Sequence, residues 1–433
     1  MAVPRTSLRG FLAHAKGALR VAIDSKQKVT FVIGNESADL DSMSSSIMYA
    51  YIRSMSPPAN TFSPHYIPIT NIPASDVQLR PEYLAVLKHA DIGPKDLITL
   101  DDLPSFSEIQ SMLLPENTKW ILVDHNTLQG QLGKIYSSRV AGAIDHHDDE
   151  NSVPKDTGDE PRVIEKSGSC TSLVTNFLRP AWDATSAPST SPGTARAQEN
   201  NLSHDAAVTL RWHARVAQLG LASILIDTAN LQDMHKTTDD DRKAAEYLEA
   251  KIMLDPQLAT KFDRVSFYKE INSAKKDIGG LKLRDILRKD YKQWDENGQK
   301  IGVSSVVKSL EFLKKKAGDE AKEQSSGEAF LEALEGFARE GGLNTYAIMT
   351  TSTSSEGEFQ RELLLWAFDK DAVSAAKKFA KSSSDELGLE EWQGCSVVAD
   401  GSRGNGQWRR VWWQRQVQHS RKRVAPLLRE AMA

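Results

Sequence analysis

Short apolar runs alternate along this chain with longer stretches in which apolar residues recur every three or four positions. Lys28–Gly34 (KVTFVIG) is β-branched and aromatic and ends in glycine, and Met43, Ile47 and Tyr51 then repeat at a helical spacing. That order predicts strand, loop, helix. Further short runs at Trp120–Val123 (WILV), Val140–Ile144 (VAGAI) and Ile224–Ile226 (ILI) read as strands, interleaved with helical stretches at Thr171–Leu178 and Ala206–Leu219. Strands alternating with helices predict an α/β fold with a parallel sheet, whose ligands gather beyond the carboxyl ends of the strands.

The chain has 433 residues, which at about 150 per domain suggests two or three domains. Leu254–Gln257 (LDPQ) follows a charged helix at Arg242–Met253 and precedes a new mixed segment, so a boundary is expected there, with domains at 1–255 and 258–433. Ala181–Asn201, rich in Ser, Thr, Pro and Ala without periodicity, predicts a surface insertion, and the charged run Lys314–Ser326 a solvated helix end. No repeat of 20 to 50 residues is visible.

Composition narrows the function classes. With 40% hydrophobic and 26% charged residues and a net charge of −4, the chain is neither fibrous nor a general polyanion coat, so any polyanion site must be local. Two cysteines, Cys170 and Cys395, suit a reducing compartment, with the cytosol as default. No run of 18 apolar residues suggests a span, so no membrane partner is expected. The first 20 residues carry Arg5, Arg9, Lys16 and Arg20 and no acid; an ordinary first helix is expected over a transit peptide, a mitochondrial pool being the alternative.

The polar residues after each expected strand carry the chemistry. The first run delivers Asn35, Asp39 and Asp41; the second Asp124 and His125; the third Asp145, His146 and His147; the fourth Asp227. One Asp after a strand is an ordinary helix cap, but four such places converge on one sheet edge. An Asp-x-Asp pair in a short loop would repel itself without a cation between. Oxygen ligands with imidazole suit Mg²⁺, Mn²⁺ or Co²⁺, and several acids suggest two cations, as in phosphoryl hydrolysis.

The order GNESADLDS at 34–42, LVDHN at 122–126, IDHH at 144–147 and LIDT at 225–228 resembles the motifs of the DHH phosphoesterase superfamily. KDYKQW at 289–294, IGVSSV at 301–306 and SRKRVAPLL at 420–428 resemble second-domain motifs of family II inorganic pyrophosphatases, prune-type proteins and fungal exopolyphosphatases. The resemblance implies a two-domain architecture, a parallel-sheet N-terminal domain plus a smaller mixed α/β C-terminal domain, with the active site in the cleft. It implies Asp39, Asp41, Asp124, His146 and Asp227 as metal ligands, Asp124 bridging two divalent cations, and His147 facing phosphate. Pyrophosphatases begin the first motif with His where this chain has Asn35, so a more exchangeable first cation is expected. Asn here, with an intact IDHH, points to the fungal exopolyphosphatase type.

Between Gly401 and Ala433 seven Arg and one Lys face one acid, Glu430. Arg421 and Lys422 match the family's terminal basic pair and Lys292 its DYK lysine, which implies that these three bind the terminal phosphates. Arg409, Arg410, Arg415 and Arg423 could extend that track or be solvated surface; Trp412 and Trp413 read as packing rather than base stacking. Cys170 in GSCTS reads as a small buried residue, not a nucleophile; His125 as an outer-shell or structural group; Asp239–Asp241 as a helix cap. The expected activity is stepwise release of orthophosphate from the end of inorganic polyphosphate by a metal-activated water, without a phosphoenzyme, by a monomer that binds no nucleic acid. The alternatives are a pyrophosphatase and a prune-like interaction protein.

Overall fold

A computed structural model describes residues 5–186, 199–321, 324–394, 398 and 406–432. Most of the Ser/Thr/Pro-rich insertion, and Cys395, lie outside the described residues. Two compact units divide between Ala274 and Lys275, within the helix Arg264–Lys276. The Leu254–Gln257 stretch lies inside the first unit, where the Asp255 carboxylate caps the short helix Pro256–Ala259.

The first unit holds a five-stranded sheet of β1 (Val29–Ile33), β2 (Tyr66–Ile69), β3 (Thr118–Val123), β4 (Val140–Asp145) and β5 (Arg162–Ile164). All pairs are parallel and the spatial order is β2-β1-β3-β4-β5. β1 is buried at every position and β3 and β4 at all but one, which is why they read as unbroken apolar runs rather than alternating ones. Phe31 pairs with Trp120 across β1 and β3, and their rings stack at 4.5 Å. The chain passes to β2 on one side of β1 and to β3 on the other, so the order reverses between β1 and β3. Parallel sheets open a crevice at the carboxyl ends of the strands at such a point.

Helices cover the sheet. The basic first segment forms the helix Leu8–Ser25, capped by the Ser7 hydroxyl and burying Leu8, Phe11, Leu12, Ala15 and Leu19. The helix Leu40–Met55 is buried along its whole length and packs against Cys170–Ser186 and Glu199–Asp227. Ile224–Ile226, expected as a strand, ends that last helix. The helix is enclosed through this segment, with Leu219, Leu221, Ala222, Ile224 and Leu225 all fully buried, so its sequence loses helical periodicity and imitates a central strand.

The second unit holds a mixed sheet of β6 (Tyr291–Glu296), β7 (Gln299–Val306), β8 (Thr345–Thr350), β11 (Glu362–Ala367), β12 (Leu389–Glu391) and β13 (Trp408–Gln414), beside a small hairpin of β9 (Ser352–Thr353) and β10 (Phe359–Gln360). The order is β12-β13-β11-β8-β7-β6, with only β7 and β8 parallel. Alternate residues of β8 and β11 enter separate cores on the two faces, Ile348 and Leu364 on one, Ala347 and Leu365 on the other. Trp412 and Trp413 join opposite cores, so both pack. Among the described residues no helix is long and apolar enough to cross a membrane.

Candidate metal centre

Three strand ends build the site. β1 runs into Gly34, where a Cβ would come within 2.6 Å of the Ser42 Cβ; glycine lets the Asn35 loop fold back on the next helix. β3 ends at Asp124, whose backbone is left-handed at φ 62°. Such a non-glycine conformation costs about 1–2 kcal/mol. It is held by the Asp124 amide, which donates to the Ile144 carbonyl at 3.0 Å and approaches Cys170 Sγ at 3.2 Å. β4 ends at Asp145 and delivers His146 and His147.

Asp124, 2% exposed, offers one oxygen to each side of the crevice. Its Oδ2 accepts from Asn35 Nδ2 and from Ser42 Oγ, each at 2.7 Å. The Asn35 amide is oriented by Ser37, whose backbone N–H can only donate and does so to Asn35 Oδ1 at 3.0 Å. Asn35 therefore presents its NH₂ to the carboxylate, where an imidazole nitrogen could have presented a lone pair.

The other oxygen, Oδ1, lies 3.1 Å from His146 Nε2 and 3.8 Å from His147 Nδ1. His146 Nδ1 is 3.0 Å from the Ser167 carbonyl. A carbonyl only accepts, so Nδ1 carries a hydrogen, and in the neutral imidazole Nε2 turns its lone pair inward. That lone pair faces Asp124 Oδ1 and, at 3.9 Å, Asp41 Oδ2. A buried imidazole nitrogen beside two carboxylates favours a positive charge there, carried by a proton on Nε2 or by a cation, and nitrogen with carboxylate oxygens suits a divalent cation. Ligand atoms of Asp124, His146 and His147 all lie within 4.8 Å of one another.

Asp41, 3% exposed, takes four donors from the start of the helix Cys170–Ser186: Ser169 Oγ at 2.7 Å, the Cys170 amide at 2.7 Å, the Thr171 amide at 2.9 Å and Thr171 Oγ1 at 2.6 Å. It caps that helix while keeping Oδ2 beside His146. Asp39 caps the helix Leu40–Met55 through Ser42 N at 3.0 Å, and Asp227 ends Glu199–Asp227. Both, like Asp41, lie outside the close group of Asp124, His146 and His147. His125 places Nδ1 3.0 Å from the Val123 carbonyl. Burial raises the Cys170 thiol pKa above its ordinary value and the neighbouring carboxylates raise it further, and its Sγ donates to the Ile144 carbonyl at 3.1 Å.

Asp145 holds His147: its Oδ1 is 2.7 Å from His147 Nδ1, and its Oδ2 accepts from Asn126 Nδ2 at 2.6 Å. Burial alone would raise this carboxyl, but the hydrogen bond and charge of His147 and the Asn126 amide bring its pKa down to about 2. Sequence inspection placed Asp145 among the strand-end groups without a particular role, read Asp241 only as part of a helix cap, and missed Arg80. Asp239–Asp241 does begin a helix capped by Thr238, with Thr238 and Asp241 forming a reciprocal capping box.

In the second unit Arg421 donates to the Asp290 carbonyl at 2.9 Å and its carboxylate at 2.7 Å. Burial opposes the charge on Asp290, but Arg421, Lys292 and Lys289 together lower its pKa. The DYK segment and the terminal basic pair thus meet. Of the four arginines read as a basic track or solvated surface, Arg410, Arg415 and Arg423 are exposed and Arg409 is neither. Arg409 is buried at 2% exposure, donates to the Val398 carbonyl and stacks on Trp366 at 4.7 Å, while Arg415 and Arg423 pair with Glu390 and Glu386. Arg410 and Lys422 stay exposed.

The DHH family N-terminal domain model matches residues 29–204, and the DHHA2 domain model residues 269–431. The chain is 32% identical over 435 residues to a Schizosaccharomyces pombe protein named "Putative exopolyphosphatase", covering 99% of this chain and 96% of that one. It is 25% identical over 416 residues to Homo sapiens "Exopolyphosphatase PRUNE1", covering 96% and 78%, and 26% identical over 279 residues to a Methanothrix thermoacetophila manganese-dependent inorganic pyrophosphatase, covering 64% and 69%. Among solved structures, a Methanococcus jannaschii protein described as a putative family II inorganic pyrophosphatase shares the fold, with a TM-score of 0.53 at 20% identity over 93% of this chain and 99% of that one. With both domain models in order and a relative matched along nearly its whole length, the chain belongs to the DHH family of phosphoesterases.

Proposed function

We propose that this protein is a metal-dependent exopolyphosphatase that releases orthophosphate from the end of inorganic polyphosphate. The observation that carries the reading is the inward-facing set of Asp124 Oδ1, His146 Nε2 and Asp41 Oδ2 at the β1–β3 switch point, next to an amide rather than an imidazole at position 35. Asp124, His146 and Asp41 would hold a divalent cation there, with Asp39 and Asp227 as further ligands of a two-cation arrangement. Bound cations would supply a water of lowered pKa and Lewis-acid stabilisation of phosphoryl oxygens.

The chain's own groups do the rest. His147, held from behind by Asp145, directs its outer ring nitrogen to a non-bridging oxygen of the terminal phosphate and supports the leaving phosphate as its charge grows. Asn35 gives a hydrogen bond to Asp124 and brings no lone pair of its own. The resemblance assigns the following phosphates to Lys292, Arg421 and Lys422, with the two ammonium groups acting as point charges and the Arg421 guanidinium seated on Asp290. The relative named as a putative exopolyphosphatase, matched over 99% of this chain, supports chains over pyrophosphate.

The relatives named as manganese-dependent pyrophosphatases support a second reading, in which pyrophosphate is the main substrate. Orthophosphate release from long-chain polyphosphate, tripolyphosphate and pyrophosphate, with Mn²⁺ or Mg²⁺ and with chelator, separates the two. Long chains shortening while pyrophosphate accumulates supports the exopolyphosphatase; pyrophosphate as the fastest substrate overturns it. Asp124→Asn is expected to lower turnover by more than about 100-fold, beyond the upper range for outer groups at metal sites. Metal-dependent turnover surviving that substitution would refute the site.

A further inference from the structure

Asp241 accepts six hydrogen bonds, yet it lies on the helix Asp239–Met253, outside every motif at the strand ends. It is fully buried. Its Oδ2 accepts from the Thr238 amide at 2.7 Å, Thr238 Oγ1 at 2.8 Å and the Gly168 amide at 2.9 Å. Its Oδ1 accepts from Ser172 Oγ at 2.6 Å, Ser167 Oγ at 2.9 Å and the Ser169 amide at 3.1 Å. The two from Thr238 lie within the helix's own cap, the amide bond being half of its capping box; the other four reach across to Ser167–Ser172.

That second segment holds the centre. The Ser167 carbonyl receives His146 Nδ1 and thereby turns Nε2 inward. Ser169, Cys170 and Thr171 supply all four donors to Asp41. Gly168 has to be glycine for the contact to form, since a Cβ there would stand 2.8 Å from Asp241 Oδ2 and 2.7 Å from the Thr228 methyl. Burial would push the Asp241 carboxyl up, but the donors from Ser172, Thr238 and Gly168 outweigh it and hold it below the ordinary range.

We propose that Asp241 is a positioning residue for the metal centre: it fixes the Ser167–Ser172 segment, which sets the tautomer and direction of His146 and the orientation of Asp41. The inference rests on the metal reading above for its consequence, but the positioning itself is a property of the metal-free protein. Only a carboxylate serves. Asparagine in one flip turns its NH₂ toward the Thr238 and Gly168 amides, and in the other toward the Ser169 amide, so a donor meets a backbone donor either way.

The test compares the full-length protein with Asp241→Asn and Thr238→Val. The second variant removes the cap hydroxyl, and with it one donor to Asp241 Oδ2, but leaves the Ser167–Ser172 bonds to Asp241, so it reports the helix cap apart from that segment. Nitrogen-15 histidine NMR on the metal-free protein reads the His146 tautomer, assigned by difference against His146→Gln, and calorimetric Mn²⁺ titration reads affinity. Asp241→Asn is expected to give mixed His146 tautomers and Mn²⁺ binding weaker by about tenfold or more, with Thr238→Val lowering the melting temperature but neither of these. A wild-type tautomer and affinity in Asp241→Asn overturns the proposal, as does an equal loss of affinity in Thr238→Val. If the wild-type protein binds no Mn²⁺, the metal reading fails and the NMR comparison alone decides the role of Asp241. Should Asp241→Asn not fold, Ser167→Ala removes a single donor to Oδ1 and is expected to shift the same tautomer signal to a smaller degree; an unchanged signal overturns the proposal.

Discussion

Arg80 provides a test of how the first-motif loop is held. Its guanidinium is 3% exposed and donates to the Ala38 carbonyl at 2.6 Å, the Ser37 carbonyl at 2.5 Å and the Asp76 carbonyl at 3.1 Å. Ala38 is left-handed at φ 43°, which costs about 1–2 kcal/mol for a residue with a Cβ. Two charge-assisted bonds into the loop contribute about 3–6 kcal/mol before losses, enough to keep this conformation. Arg80→Met fills much of the volume but leaves two buried carbonyls unserved at about 1–3 kcal/mol each. A net destabilisation of about 3 kcal/mol is expected. Because Ser37 orients Asn35, kcat/KM for phosphate release should fall with it, by about tenfold or more. Ala38→Gly supplies the complementary check. In the wild-type background it should be close to neutral, since relief at Ala38 offsets the extra chain entropy of about 0.5–1 kcal/mol. In the Arg80→Met background it should recover part of the stability, because the loop then no longer depends on the guanidinium. Urea unfolding followed by tryptophan fluorescence gives the first quantity and tripolyphosphate turnover the second. Arg80→Met with less than about 1 kcal/mol lost and an unchanged kcat/KM would refute the loop-holding account.

Two further outcomes follow from buried groups away from the centre. His213, 1% exposed between the Tyr51 and Trp182 rings, has its pKa lowered to about 4 by burial, with Lys251 and Arg5 adding to the effect. The folded chain keeps this imidazole neutral while the unfolded chain protonates it near 6.5, so its contribution is intact above pH 6.5 and lost as pH falls toward 4, about 3 kcal/mol in the limit. His213→Gln should flatten the stability profile in that window, and a profile as steep as the wild type's would contradict it. In the second unit Arg409→Ala should cost about 2–4 kcal/mol through lost packing on Trp366 and an unserved carbonyl, whereas Arg410→Ala should stay within about 0.5 kcal/mol. Equal thermal shifts for the two would show that the burial of Arg409 carries no weight.

Some of the architecture was legible because its physical cause is local. β1, β3 and β4 are buried on both faces, and their apolar runs announce it. The same signature misled at Ile224–Ile226, where a helix enclosed on all sides also needs apolar residues at every position. β5 has only partly exposed positions and three residues, too few to carry a period. Of the basic residues near the C-terminus, composition could not say that Arg409 points inward to Trp366 while Arg410, its neighbour on the same strand, points out; the alternation along β13 decides that.

By itself the sequence determined the chemical inventory and the strand ends at which it is delivered, because residue type, order and short-range spacing are local properties of the chain. It thus specified the Asp124, His146 and His147 donors and the asparagine at position 35. Only the tertiary structure decided what those groups are doing. Asn35 donates to a carboxylate 89 positions away, Arg80 grips a loop 42 and 43 positions away, and Asp241 holds amides 72 and 73 positions away. The last two act on backbone carbonyls and amides, which every residue carries and no residue type marks. Orientation, tautomer and the facing of one acceptor against another are set by the packing that brings those distant segments together.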